Sequence, residues 1–154
     1  MKIILTVLVL LVYFGSMAYA EKFFIEDPSL KPVPQNAVKT ILANEKDPDL
    51  KKCEFIGKPM NLSKTGEEKS QVLIVTTDHG CGCGNGLCTI WLLQPKGDLY
   101  SVLLSDGGYS MTIVKQNNRK TPDIKFEAST AGWLQESLWK FDGKRYKRMK
   151  LETR

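Results

Sequence analysis

The chain has 154 residues, with 22 lysines and arginines against 17 acidic residues and one histidine, a formal charge of +5 at neutral pH. That length carries one hydrophobic core and excludes two comfortable domains. Acidic and basic residues are interspersed as far as Lys140, so no broad basic field marks a nucleic-acid-binding chain.

The first element in chain order is an export signal. Lys2 is followed by an uncharged apolar run from Ile3 to Phe14, then by the small residues Gly15, Ser16 and Ala18. A positive start, an apolar stretch and a small-x-small site at Ala18-Tyr19-Ala20 form a cleavable signal peptide, placing the mature start at Glu21. The apolar run falls short of the roughly 20 residues that cross a bilayer, which argues against a retained anchor. No cysteine stands at the boundary to carry a lipid. Residues 1–20 are therefore expected to be removed, leaving 21–154 as a single small β-rich domain with no stable membrane insertion.

Pro28, Pro32 and Pro34 break the segment from Glu21 to Pro34, which reads as an extended lead-in. Pro34 then opens a short helix from Gln35 to Ala43, where Val38, Ile41 and Leu42 share one face. Asp47-Pro48-Asp49 ends it and starts an irregular region through Cys53 to about Gly66. Beyond that, β-branched and aromatic runs between turn residues predict strands at Gln71–Thr77, Leu87–Leu93, Leu99–Leu104, Met111–Lys115, Asp123–Ala128, Leu134–Phe141 and Lys144–Met149. Asp142-Gly143 is the strongest hairpin signal, and a two-residue turn there sets Phe141 opposite Lys144 and Trp139 opposite Tyr146. The expected fold class is α+β: one short N-terminal helix against a largely antiparallel β-meander, stapled by disulfides.

All four cysteines, Cys53, Cys81, Cys83 and Cys88, lie beyond the signal, and an even number in an exported chain points to bridges. Three pairings are possible. Gly84, Asn85 and Gly86 favour a tight Cys83–Cys88 loop, leaving Cys53 for Cys81; the exchanged pairing joins Cys81 to Cys88 and Cys53 to Cys83. Chain entropy assigns roughly 3 to 4 kcal/mol to the long bridge and roughly 2 to the short one. A competing reading gathers His79, Cys81, Cys83 and Cys88 around copper(I) or zinc, although this is not a standard zinc spacing and it strands Cys53.

Other chemistries have less support. His79 is the sole histidine, and neither a thiol nucleophile nor a serine such as Ser105 or Ser110 comes with a supporting motif, so no enzyme is expected. Asp106-Gly107-Gly108-Tyr109 reads as a turn and lacks the lysine of a phosphate loop. Asn61 to Glu68 lacks the carboxylates of a calcium loop. No cofactor is expected. The basic end, with Lys140, Lys144, Arg145, Lys147, Arg148, Lys150 and Arg154, reads as a solvated edge strand guarded by lysines.

Cys83-x4-Cys88-x2-Trp91 after a strand, the glycine turn into Leu99-Tyr100 and the closing Phe141-Asp142-Gly143-x-x-Tyr146 resemble a loose group of small exported bacterial proteins. Most members of that group carry no assigned activity. The resemblance runs from Gln71 to Tyr146, and Asn61 to Glu68 departs from the acidic, glycine-containing loop often found there. It implies a periplasmic address, with secretion to the medium next. Together these readings predict a non-enzymatic exported binding protein, of inhibitor or immunity type, whose partner is another protein. The loop from Asp78 to Leu87, with Asp78, His79, Asn85 and Leu87, is its expected contact surface; the alternative is a metal-handling protein using His79 and the cysteines.

Overall fold

The computed structural model describes residues 20–63, 71–85, 87–115 and 120–154. The expected signal up to Tyr19, the Asn61–Glu68 loop beyond Ser63, and Gly86 lie outside the described residues. Ten strands and one α-helix follow in the order β1 (Ala20–Phe24), β2 (Lys31–Pro32), α1 (Gln35–Asn44), β3 (Phe55–Asn61), β4 (Gln71–Thr77), β5 (Cys88–Lys96), β6 (Leu99–Gly108), β7 (Ser110–Val114), β8 (Asp123–Thr130), β9 (Trp133–Phe141) and β10 (Tyr146–Thr153). Short 3-10 turns cover Pro48–Lys52 and Asp78–Gly80.

The strands form two antiparallel five-stranded sheets, one ordered β1-β7-β8-β9-β10 and the other β2-β3-β4-β5-β6. A core of Phe23, Met111, Ile113, Ile124, Phe126 and Tyr146 from the first sheet meets Met60, Val72, Ile74, Ile90, Leu92 and Leu104 from the second. A separate cluster of Ala37 and Ile41 from α1 packs with Val75, Trp91 and Leu93 on the opposite face of the second sheet. The second sheet is thus a middle layer. Burial on both faces explains why β4 and β5 read as unbroken apolar runs instead of alternating ones.

Helix α1 buries Ala37 and Ile41 fully, with Val38 and Leu42 half-buried beside them. It has no side-chain N-cap, but the Pro34 carbonyl accepts the Ala37 and Val38 amides at 3.0 and 3.2 Å. At its other end the Glu45 carboxylate accepts the buried Trp91 indole N–H at 2.7 Å, tying the helix exit to the middle of the sheet.

The balanced α+β expectation is corrected to a predominantly β fold, because the chain builds two packed sheets where a single meander was expected. Three strands are added, and two of them, β1 and the short β2, fall in the segment predicted as an extended lead-in. Strand β1 pairs Phe23 with Met111 and buries the Phe23 ring completely. Burial of Phe23 supplies the driving force, while Phe24 stays exposed, and the prolines lie outside the strand. The third is β3, in the region predicted as irregular, paired from Phe55–Thr77 to Asn61–Gln71. Gly57 and Pro59 hide it from a propensity reading. Pro59 is tolerated because β2 reaches only Gly57 and Ile56, so β3 is an edge strand at that point.

The last hairpin also differs in register. Tyr146 sits opposite Phe141 and Arg148 opposite Trp139, a two-residue shift from the two-residue turn. The cause is Asp142, whose carboxylate accepts the Lys144 and Arg145 amides at 2.9 Å each and pairs with Lys147 at 2.8 Å. Those bonds stabilise a four-residue loop over a two-residue one. The aromatic cross-strand contact is therefore Phe141 with Tyr146, edge to face at 5.4 Å. The Asp106 turn is corrected as well, since Asp106 to Gly108 continue β6. Its carboxylate accepts the Ser137 hydroxyl at 2.7 Å and the Trp139 indole at 3.0 Å, which latches the second sheet onto the first.

Candidate functional site

The loop between β4 and β5 is built from turns that constrain one another. The Asp78 amide donates to the Glu54 carbonyl at 2.8 Å, Cys81 to Asp78 at 3.0 Å, Cys83 to Gly80 at 3.0 Å, and Gly84 and Leu87 exchange bonds of 3.0 and 2.9 Å. Disulfides join Cys53 to Cys81 and Cys83 to Cys88, with Cα separations of 5.6 and 4.3 Å. The first staples the loop to the 3-10 turn after α1, and the second closes the loop on the start of β5.

His79 and Asn85 hold positive φ values of 47° and 52° within this loop. Left-handed backbone is uncommon outside glycine and persists where its surroundings over-determine it. Here the two bridges and the backbone bonds do so. The Asp78 carboxylate adds a bond from the His79 amide at 2.8 Å and stands 3.3 Å from its Nε2, with the ring projecting into solvent at 94% exposure. Asn85 is exposed and Leu87 half-buried.

Beside the loop lies an open groove of about 1150 Å³ between α1, the segment from Ile25 to Val33, and the start of β3. Its apolar lining includes Ile25, Leu30, Val38, Leu42 and Phe55. Asp78 and His79 stand at its edge; Asn85 and Leu87 do not line it. The structure thus brings two of the four expected contact residues to one cavity. Cys53, Cys83 and Cys88, expected as bridge cysteines, also line it; most of the remaining lining comes from segments far apart in the chain, where the local signal is the amphipathic helix alone.

All four sulfurs are spent in bridges, so Cys81, Cys83 and Cys88 present no thiolate beside His79. Among the described residues no group of three or more His, Cys, Asp or Glu side chains is placed to hold a metal ion. Ser110 donates its hydroxyl to Glu127 at 2.7 Å, in the first sheet, whereas His79 lies between two strands of the second.

A second electrostatic feature covers the solvent face of the first sheet. Glu127 on β8 is contacted by Lys22 on β1 and Lys125, which also reaches Glu136 on β9; Arg154 extends the row to Glu136 and Glu152. Burial alone would raise the Glu127 pKa, but hydrogen bonds from Lys22, Ser110 and Lys125 outweigh it and hold the group at about 2. Strand β10 is one of the two edges of this sheet, with Lys147, Arg148 and Lys150 exposed along it. Lysines on an edge strand disfavour pairing with another sheet.

Among the described residues these features define a class: a two-sheet β protein with one α-helix and a disulfide-pinned loop beside a groove. No family model, curated protein or solved structure matches the chain.

Proposed function

We propose that the chain is an exported, non-enzymatic binding protein that engages another protein through the Asp78–Leu87 loop, as an inhibitor or immunity-type protein does. The observation that carries this reading is the loop's construction: two bridges and its own backbone bonds hold His79 and Asn85 in left-handed conformation, with His79 at the edge of a groove. A loop already held in one shape loses little entropy on binding, so more of its contact energy appears as affinity. The periplasm, with secretion next, is the proposed location, and the resemblance to small exported bacterial proteins belongs with it. Two disulfides fit an oxidising compartment. Among the described residues no helix is long and apolar enough to cross a membrane.

The test is capture from periplasmic extract on the immobilised mature chain and on a His79→Gly/Asn85→Gly variant. Glycine accepts positive φ, so the backbone of the loop is kept while both side chains are removed. A specific protein retained by the native chain and lost by the variant supports the loop as the contact surface. Equal capture by both, or hydrolysis of the captured protein by the chain, refutes the reading.

A further inference from the structure

We propose that the groove beside the disulfide loop takes an extended segment of the partner protein in which basic and apolar side chains alternate. This rests on the binding function proposed above and names the chemistry of the partner. The groove's volume of about 1150 Å³ exceeds the roughly 300–1,000 Å³ of small-molecule pockets, and it is open to solvent rather than enclosed. A chain segment suits such a shape.

Its lining supplies the two kinds of recognition required. The apolar surfaces of Ile25, Leu30, Val38 and Leu42 are half-buried, leaving area for a partner to cover. The acidic residues Glu26, Asp27, Glu54 and Asp78 all line the groove. Asp27 is committed to Lys58 at 2.7 Å, and Asp78 to the His79 amide at 2.8 Å. Glu26 and Glu54 are exposed and make no side-chain hydrogen bond or ion pair with other described residues. Lys51 and His79 are the basic lining residues.

A protein with a net charge of +5 therefore places four acidic side chains around this groove. Opposed charge across an interface steers encounter and rejects partners of the wrong sign. Alternation in the ligand follows from the groove, since an extended chain presents successive side chains to opposite sides. Apolar ones can face the floor while basic ones face the acidic rim.

The test uses fluorescein-labelled short peptides of alternating Lys and Leu, alternating Glu and Leu, and alternating Lys and Ser, titrated with the mature disulfide-bonded protein and followed by anisotropy. The Lys-Leu peptide should bind tightest. A Glu26→Lys/Glu54→Lys variant should weaken it by about tenfold or more. A Glu152→Lys variant on β10, outside the groove, should leave it unchanged. Both variants alter exposed or partly exposed side chains, and circular dichroism checks that they fold.

Equal binding of the Glu-Leu peptide, equal binding of the Lys-Ser peptide, or equal losses in the two variants would overturn the proposal. So would a dimer in sedimentation that Glu26→Lys/Glu54→Lys abolishes, because the occupant would then be a second copy. Partner capture that depends on His79 and Asn85, together with peptide binding indifferent to the groove variant, removes this inference and leaves the loop reading standing. Failure of both assays removes both.

Discussion

Replacing Gly57 by alanine tests how closely β3 is seated against β4. Gly57 lies in β3 between β2 and β4, opposite Lys31 and Val75. A Cβ added there would stand 2.1 Å from the Ile74 carbonyl oxygen and 3.1 Å from Val33 Cγ1. The first obstacle is backbone in the neighbouring strand, which cannot rotate away as a side chain can. Relief requires β3 and β4 to separate locally, weakening their ladder and displacing Val33 from the helix-side cluster. Overpacking typically costs about 1–3 kcal/mol, and a backbone obstacle places this case near about 3. With a urea m-value near 2 kcal/mol/M, the unfolding midpoint should fall by about 1.5 M. The matched control is Gly107→Ala in β6, where an added Cβ meets nothing within 4 Å; it should stay within about 0.5 kcal/mol of the native protein. Equal midpoints for the two variants, measured with both disulfides intact, would refute the close approach of β3 to β4 and the packing derived from it.

Removing Cys83–Cys88 by paired serine substitution should cost about 2 kcal/mol, whereas removing Cys53–Cys81 should cost about 3 to 4, the order set by loop length. Their sequence separations are 5 and 28 residues, and non-reducing denaturant unfolding measures the difference. Tyr146→Phe should cost about 1–3 kcal/mol, because the buried hydroxyl donates to the Pro122 carbonyl at 3.0 Å and the variant leaves that acceptor unpaired. In the native protein burial raises the Tyr146 phenol, with the Asp123 charge adding to it, so its ultraviolet titration should lie above the ordinary tyrosine range. Glu127 supplies the pH prediction. Its folded pKa of about 2 lies below its ordinary 4.5, so its contribution is present above 4.5 and is lost as pH falls toward 2. Glu127→Gln should flatten the acid limb of the stability profile between those values, while an unchanged slope would show that the Lys22 and Lys125 contacts do not select the charged form.

Much of the fold was legible because its signals are local. The amphipathic spacing of Val38, Ile41 and Leu42 identified α1, and the β-branched and aromatic runs placed most of the strands from β4 onward. The strands that escaped, β1, β2 and β3, are stabilised by partners distant in the chain: Phe23 pairs with Met111, Pro32 with Ile56, and Gly57 lies against the close backbone of β4. Gly57 and Pro59 argue against a strand when judged by propensity alone, yet the tertiary position of β3 makes one necessary and the other harmless. The hairpin register was missed because Asp142 binds two backbone amides beyond the turn, a choice visible only when its side chain is placed.

For the candidate site, the four cysteines and the glycine-containing turn marked the Asp78–Leu87 loop, since bridge formation and positive φ depend on residue type and close spacing. The groove depended on assembly. Glu26, Val38, Glu54 and Asp78 are separated in the chain and share a cavity only after α1 packs on one face of the middle sheet and the lead-in crosses its edge. Residue order alone determined an amphipathic helix, a succession of strands and cysteines spaced to bridge. Only the tertiary structure decided that the strands divide into two sheets and that an acidic, apolar groove opens beside the pinned loop, because burial and charge clustering are properties of surfaces brought together from distant segments.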